Sequence, residues 1–277
     1  MSYIYKMPYK DPEKRKEKRK EYREKNSEKM KEKNKEYDAK RREDLKQHAY
    51  DSITSNEIID RKKWDQWCNR IKFSAKDHKH PYSDDFTNYI MFEMMVRGCF
   101  YCGDIATTID RVDSTLVHTP DNCVGCCRGC NMSKGVADHS SFIRKACFRV
   151  HGEYYDDDTD IWFVHKNRPS MCNYKSKAKK KGVSFELSKE DWESLIVGKC
   201  GYCKRSPTTW FGIDRKVPSL GYVLENVVSC CYDCNLDKSE DDVETMKERN
   251  RRIAARVSSG ELIIDNRKKV ILHQGKQ

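Results

Sequence analysis

Apolar residues are unevenly distributed along the chain and divide it into a polar leader and a patterned body. The leader, residues 1–50, is rich in Lys and Glu and has no apolar stripe. Its glutamates recur at every fourth position from Glu13 to Glu21 and from Glu24 to Glu36, and lysines follow several of them three residues later. Such pairs support a solvated helix. Because a segment that is polar all round buries nothing, we predict that the leader is either disordered or a single exposed helix.

A helical hydrophobic pattern begins after the leader. Thr54 with Glu57 has the spacing of a capping box, and residues 51–67 are predicted to form a helix that connects the leader to the folded body. We expect the two tryptophans of this region to pack in a core. The residues that share the helical phase are Ile58, Ile59, Trp64 and Trp67.

The remainder of the chain shows the same order of elements twice, which indicates a tandem duplication. Each copy has a basic stretch, a helix, two short β-type runs, a second helix and an extended apolar pair. The first helices are predicted over 84–97 and 189–197 with Ser83 and Ser188 as N-caps, the β-type runs over 107–112, 122–126, 210–216 and 226–230, the second helices over 136–149 and 241–257, and C-terminal hairpins over 153–164 and 261–272.

This pattern predicts an α+β fold of two tandem modules. Unit one covers residues 68–166, a linker covers 167–171, and unit two covers 172–277. Each unit is near the size at which a hydrophobic core alone is marginal, so we expect additional stabilising elements. The chain has 14 cysteines but no signal peptide and no long apolar run. These features favour a reducing intracellular compartment, no membrane association, and metal ligation over disulfides.

Eight cysteines have the spacing of two four-cysteine zinc sites. Two residues between paired cysteines allow one tight turn to present both sulfurs to a tetrahedral ion. The predicted ligands are Cys99, Cys102, Cys127 and Cys130 in unit one, and Cys200, Cys203, Cys231 and Cys234 in unit two. Cys126 and Cys230 offer an alternative register, which we consider less favourable because CxxC is the commoner spacing. The other four cysteines, Cys68, Cys123, Cys147 and Cys172, are predicted to be small buried residues.

The two units also resemble a known nuclease family. The phrases IDR, GY, ENVVSCC and CN..K around the second cysteine set, with a β-β-zinc-α order, are similar to the HNH or ββα-metal endonucleases, especially the zinc-bound endonuclease VII type of phages and large DNA viruses. The resemblance implies a strand Asp that binds Mg²⁺ or Mn²⁺, an Asn that completes the site, and a base between them in sequence. Carried over by position, the candidate site residues are Asp110, Arg111, Asn131, Asp214, Arg215 and Asn235.

The base position departs from the family pattern. The family has His there, whereas this chain has Arg in both units, and a guanidinium cannot accept a proton from water. An arginine can instead hold a phosphate or stabilise charge. His118 and His139 are weaker candidates for the base, and both belong to unit one, because Tyr222 and Val243 stand at the corresponding positions. The Asp-Arg pairs are alternatively structural ion pairs.

The charge distribution indicates an acidic partner. The formal net charge is +11, and residues 1–46 hold 18 Lys and Arg against 11 Asp and Glu. We expect a nucleic-acid partner, with DNA favoured over RNA. The candidate contacts are Lys134, Lys179, Lys180, Lys181, Lys238, Arg251 and Arg252.

Three functions are consistent with these patterns. The first is a metal-dependent endonuclease, most plausible in unit one. The second is a non-catalytic zinc protein that binds DNA or RNA, and the third is a protein-interaction scaffold. The resemblance places the protein in a viral setting, in the host cell or the virion, and does not specify its oligomeric state.

Overall fold

The computed structural model describes residues 27–77, 80–152 and 161–264, together with five positions between residues 13 and 20. Over these residues the fold is α+β, as predicted, with nine α-helices and two antiparallel hairpins. None of these helices is long and apolar enough to cross a lipid bilayer. The helices are α1 Ser27–Thr54, α2 Arg61–Asp77, α3 Asn88–Val96, α4 Arg128–Lys134, α5 His139–His151, α6 Met171–Lys181, α7 Lys189–Val197, α8 Tyr232–Lys238 and α9 Val243–Ser258. The strands are β1 Thr108–Arg111, β2 Cys123–Cys126, β3 Gly212–Arg215 and β4 Val227–Cys230.

Helix α1 joins the leader to the body. Its side chains are exposed from residue 31 to residue 44, as a polar helix requires, but Leu45, Ala49 and Ile53 are buried against α2 and α3. These three residues lie four apart and form the apolar stripe that the rest of the helix lacks. The stripe continues the helix through the predicted boundary at residue 50.

The predicted connecting helix over 51–67 is therefore wrong in detail. Thr54 ends α1 instead of capping a new helix, and its hydroxyl donates to the carbonyl of Tyr50 at 3.0 Å. The next helix, α2, begins after Asp60, whose carboxylate accepts a hydrogen bond from the backbone N–H of Lys63 at 3.0 Å. The prediction of core packing is confirmed for Trp64, which is 1% exposed.

The two hairpins have the same register. Asp110 faces Val124 in the β1–β2 pair, and Asp214 faces Val228 in the β3–β4 pair. Each hairpin runs directly into a short helix, α4 or α8, and a longer helix follows, α5 or α9. The predicted β-β-helix order is thus confirmed in both units, with strands one to three residues shorter than expected.

The helix caps differ between the units. Ser188 caps α7 as predicted, in a reciprocal capping box with Asp191. In unit one, Thr87 caps α3, so the helix starts five residues after Ser83. Ser83 instead donates from its backbone N–H and its hydroxyl to the carbonyl of His118. The predicted cap at Ser83 is wrong because this pairing holds the segment extended.

The basic stretch after Cys172 forms a helix, which the sequence did not predict. Helix α6 is capped by Ser170 and ends at Gly182, whose φ of 66° is a left-handed conformation. The predicted C-terminal hairpins fall largely outside the described residues, at 153–160 and 265–277. Where the chain is described beside them, at 161–164 and 261–264, it forms no strand, and Trp162 and Leu262 are buried.

The two units pack on each other. Helix α5 contacts α9, and α4 contacts α8. One hydrophobic cluster contains Phe142 and Ile143 of α5 together with Ile253 and Ala254 of α9. The units therefore share part of their core.

Candidate metal centres and the neighbouring acid-lysine pairs

Two four-cysteine clusters lie beside the hairpins. They consist of the eight predicted ligands, Cys99, Cys102, Cys127 and Cys130 in cluster one and Cys200, Cys203, Cys231 and Cys234 in cluster two, and the sulfur atoms of each cluster lie within 4.8 Å of one another. A zinc ion with bonds of about 2.3 Å in a tetrahedral site requires sulfur atoms about 3.8 Å apart. The Cys102–Cys127 and Cys203–Cys231 sulfur distances are 3.7 and 3.8 Å. Both clusters therefore fit zinc.

Local backbone geometry places these sulfurs. Cys127 and Cys231 are the N-caps of α4 and α8, and their sulfurs accept hydrogen bonds from the backbone N–H groups of Cys130 at 3.3 Å and Cys234 at 3.4 Å. Each thiolate thus satisfies a helix donor that has no intrahelical partner. The N-cap position also explains why Cys127 and Cys231 belong to the clusters.

The alternative register is not used. Cys126 ends β2 and is fully buried, with its sulfur 4.0 Å from that of Cys99, and Cys230 ends β4 with its thiol directed to the carbonyl of Cys231. Both are additional thiols next to the four-cysteine sets. Of the four cysteines predicted to be buried, Cys172 is exposed.

The candidate metal ligand of unit one, Asp110, is buried and bound by other side chains of the protein. Asp110 is 5% exposed, and its two carboxylate oxygens meet the ammonium of Lys134 at 3.3 Å and the hydroxyl of Tyr101 at 2.7 Å. The ammonium also donates to the carbonyl of Arg111 at 2.8 Å. Burial raises the pKa of Asp110 above its ordinary value, although Lys134 and Tyr101 act in the opposite direction.

Unit two repeats this arrangement. Lys238 lies 3.3 Å from Oδ2 of Asp214, and the hydroxyl of Tyr202 donates to the same carboxylate at 2.7 Å. Lys238 is 1% exposed. A Tyr-Asp-Lys cluster therefore occupies the candidate catalytic position in both units.

Lys134 and Lys238 were predicted to contact nucleic acid, and their burial corrects this prediction. Their ammonium groups are enclosed by their carboxylate partners, so a phosphate has no access to them. A buried lysine requires such a partner, since an isolated ammonium is costly to remove from water. Both lysines are therefore structural.

The arginines at the base position point away from these carboxylates. Arg111 donates to the loop carbonyls of Ser114 and Leu116 at 2.7 and 2.8 Å, and Arg215 donates to that of Leu220 at 3.1 Å. Each arginine thus holds the loop between the strands of its hairpin. The alternative prediction of an Asp-Arg ion pair is wrong, because each aspartate pairs with a lysine and not with the arginine.

The two asparagines do not join the candidate sites in the same way. The amide of Asn131 donates to the hydroxyl of Thr108 and the carbonyl of Ile109, which ties α4 to β1. Asn235 is exposed on α8. Neither forms a hydrogen bond to the Asp110 or Asp214 carboxylate.

The two histidine candidates are buried packing residues. His118 stacks on Tyr82 with ring centroids 4.1 Å apart, and a ring nitrogen meets the carbonyl of His80 at 2.8 Å. His139 is 5% exposed and lies against Phe100 and Tyr101. Burial lowers the pKa of His118 and lowers that of His139 to about 4. Neither ring is directed to the Asp110 carboxylate by a hydrogen bond.

The other basic residues predicted to contact nucleic acid differ in whether they already pair with a carboxylate. Lys179, Lys180 and Lys181 are exposed at the end of α6, and none forms an ion pair with a described carboxylate. Arg251 and Arg252 are about half exposed, but both pair with Glu248. The lysines are therefore the stronger candidates for contact with an acidic partner.

Sequence reasoning missed the two tyrosines of the Tyr-Asp-Lys clusters. Their signal was present, because Tyr101 and Tyr202 stand in the same place, directly before the second cysteine of CFYC and CGYC. The predicted second metal site at Asp110 or Asp214 also lacks a full set of ligands. No further cluster of three or more potential ligands occurs in the part of the chain that the structure describes. The geometry thus supports zinc and gives no support to Mg²⁺ or Mn²⁺.

Comparison with known proteins gives one informative similarity. No family model matches the chain, and no solved structure matches it at a significant level. The chain is 34% identical over 116 residues to "Uncharacterized protein R423" of Acanthamoeba polyphaga mimivirus, a match that covers 40% of this chain and 22% of the viral protein. The match thus spans about a fifth of that relative's length. Together with the two four-cysteine clusters, it is consistent with zinc modules of a viral kind.

Proposed function

We propose that this chain is a zinc-stabilised nucleic-acid-binding protein derived from the HNH nuclease fold, and that neither unit cleaves phosphodiesters. One observation carries the proposal. In both units a buried lysine ammonium occupies the carboxylate that would hold the catalytic metal ion.

The lysine replaces the charge of a metal ion without its chemistry. A divalent ion polarises a phosphoryl oxygen and activates water, and both roles need open coordination positions. An ammonium has only donors and no such positions. In unit one the Asp110 carboxylate is shared by Lys134 and Tyr101, so both of its oxygens are already occupied.

None of the four residues considered for the role of general base is free to act as one. Arg111 and Arg215 remain protonated and are committed to loop carbonyls. His118 and His139 are held in packing contacts. A nuclease of this type would need both the metal and the base, so the loss of each supports the same conclusion.

Helix α6 supports the binding half of the proposal. It carries five exposed lysines and no acidic residue within Met171–Lys181. Three of them, Lys179, Lys180 and Lys181, form its last turn. A compact group of lysines on one helix, of which the last three form no ion pair with a described carboxylate, is suited to phosphate contacts, which supply most of the sequence-independent affinity for nucleic acid.

Cleavage assays test the non-catalytic half. Supercoiled plasmid is incubated with the zinc-loaded protein and Mg²⁺ or Mn²⁺, alongside an Asp110→Asn, Asp214→Asn double variant. We expect no nicking by either protein. Nicking by the wild type that the double variant lacks would overturn the proposal in favour of a nuclease.

Binding assays test the other half. Fluorescence anisotropy with a labelled DNA duplex is measured over a salt series for the wild type and for a Lys179→Gln, Lys180→Gln, Lys181→Gln triple variant. The matched control carries Lys166→Gln, Lys189→Gln and Lys199→Gln, which removes the same charge from other exposed positions. Loss of three phosphate contacts lowers the slope of log K against log salt by up to about 2.7.

We expect the α6 variant to bind more weakly and with this smaller slope, while the control changes little. Equal losses in both variants would show a non-specific charge effect, and no binding by the wild type would reject the proposal. An RNA duplex of the same sequence, run in parallel, tests the preference for DNA.

A further inference from the structure

Each cysteine cluster is contacted by arginines of the other unit. This arrangement follows from the packing of α5 against α9, which brings the C-terminal half of each helix next to the opposite cluster. The residues concerned are Arg149 on α5 and Arg256 on α9.

Arg149 of unit one reaches cluster two directly. Its Nε donates to the sulfur of Cys234 at 3.3 Å, and its Nη2 donates to the backbone carbonyl of Asp233 at 3.0 Å. The side chain is 6% exposed, and its Nη1 lies 3.4 Å from a carboxylate oxygen of Asp237. The guanidinium is thus fixed on several sides, with one donor directed to a predicted zinc ligand.

Arg256 of unit two makes the reciprocal contact with cluster one. Its Nη1 donates to the carbonyls of Cys99 and Phe100, both at 3.0 Å. These carbonyls belong to the turn that holds Cys99 and Cys102. Arg249 of the same helix packs over Gly129, between Cys127 and Cys130, where any side chain at position 129 would overlap it.

The electrostatics explain why such contacts matter. A zinc ion with four thiolates carries a net charge of −2, and in a buried site this charge is poorly screened by water. A guanidinium donor to a thiolate offsets part of the charge, and groups that hydrogen-bond to ligands commonly change metal affinity by 10–100-fold. In this chain the compensating charge comes from the neighbouring unit.

We propose that the zinc centres are completed across the interface, Arg149 stabilising the thiolates of cluster two and Arg256 holding the cysteine turn of cluster one. Zinc retention in each unit therefore depends on the other unit. The duplication then contributes to zinc binding in addition to enlarging the protein surface. This inference is independent of nucleic-acid binding.

Pulse labelling with N-ethylmaleimide, read out by mass spectrometry of cysteine peptides, tests this inference in the full chain. A cysteine is alkylated when its zinc is released, so the peptides identify which cluster opens. In Arg149→Met we expect labelling of Cys200, Cys203, Cys231 and Cys234 to accelerate about 10–100-fold. In Arg256→Met we expect the acceleration in the four cysteines of cluster one.

Controls separate thiolate stabilisation from general loss of packing. Lys145→Met removes a neighbouring cation on the same helix that contacts Asp233 but no sulfur. In the cobalt(II)-substituted protein, Arg149→Met shifts the thiolate-to-cobalt charge-transfer band of cluster two to lower energy, whereas Lys145→Met leaves the band in place. Arg149→Lys, which keeps the charge, restores part of the labelling protection.

Unchanged labelling of cluster two and an unshifted band in a folded Arg149→Met protein would overturn the proposal. If Arg149→Met does not fold, the labelling rates of Arg149→Lys and Arg256→Met test the proposal instead. Labelling of cluster one at the wild-type rate in Arg256→Met would reject the crossed arrangement. Equal acceleration of labelling in both clusters, in Arg256→Met and in Lys145→Met, would reject it as well.

Discussion

The ammonium of Lys134 lies 3.3 Å from the carboxylate of Asp110, and the two side chains are 0% and 5% exposed. The pair joins the end of α4 to strand β1 inside unit one. Such a pair is costly to form, because both charges leave water, and still more costly to break from one side. The pairing therefore explains how two charged side chains can be buried together at this position.

Removing only the lysine should destabilise the protein strongly. Lys134→Met leaves Asp110 as a buried carboxylate without its cation, and we expect a loss of about 3–5 kcal/mol in the free energy of unfolding. Adding Asp110→Asn removes the charge and recovers part of that loss. Chemical denaturation of the zinc-loaded proteins measures both values. A double variant no more stable than Lys134→Met would contradict this account, and Lys166→Met is an exposed control.

Acidification should destabilise the protein through His139. Burial lowers the pKa of this histidine to about 4, whereas an unfolded histidine has a pKa of about 6.5. The folded state thus favours the neutral ring, and this contribution is present above pH 6.5 and lost as the pH falls toward 4. Between pH 7.5 and 5.5 the loss is about 1 kcal/mol.

A His139→Phe variant tests this contribution by removing the titrating group while keeping a ring beside Phe100 and Tyr101. Its stability should fall less than that of the wild type over the same pH range, as measured by urea denaturation. A difference between the two proteins that does not vary with pH would show that His139 acts only through packing.

Zinc stoichiometry should distinguish the two adjacent cysteines of each second CxxC pair. Cys127→Ala removes a cluster ligand and leaves at most one zinc ion per chain, whereas Cys126→Ala leaves two. Native mass spectrometry measures the bound metal, and Cys230→Ala with Cys231→Ala repeats the comparison in unit two. Two zinc ions in Cys127→Ala would support the alternative register.

A methyl group at Gly125 should disrupt unit one. Gly125 lies on β2 against the backbone carbonyl of Met94 in α3, and a Cβ at this position would overlap that carbonyl. Because neither backbone can move without shifting its element, Gly125→Ala should cost about 1–3 kcal/mol or more. Thermal denaturation compares it with Gly152→Ala, where the Cβ meets open space but φ is 75°. A smaller loss for Gly125→Ala than for Gly152→Ala would contradict the close approach.

Local patterns predicted most of the elements that position the site. The hairpin strands and the helix capped by Ser188 follow from alternation and capping, which depend on a few neighbouring residues. The start of α3 was missed, because Ser83 pairs with His118, 35 residues away. Helix α6 was missed because its lysine-rich sequence has almost no apolar face, with Ala178 as its one buried residue.

The eight candidate zinc ligands could be identified from local sequence, since each pair lies within one tight turn whose geometry is local. The residues that surround them depend on the tertiary structure. Lys134 and Arg149 are charged residues that a sequence places on the surface, yet both are buried by partners 24 and 85 residues away. Their positions depend on how α4 meets β1 and how α5 packs on unit two, and such long-range packing has no local signature in the sequence.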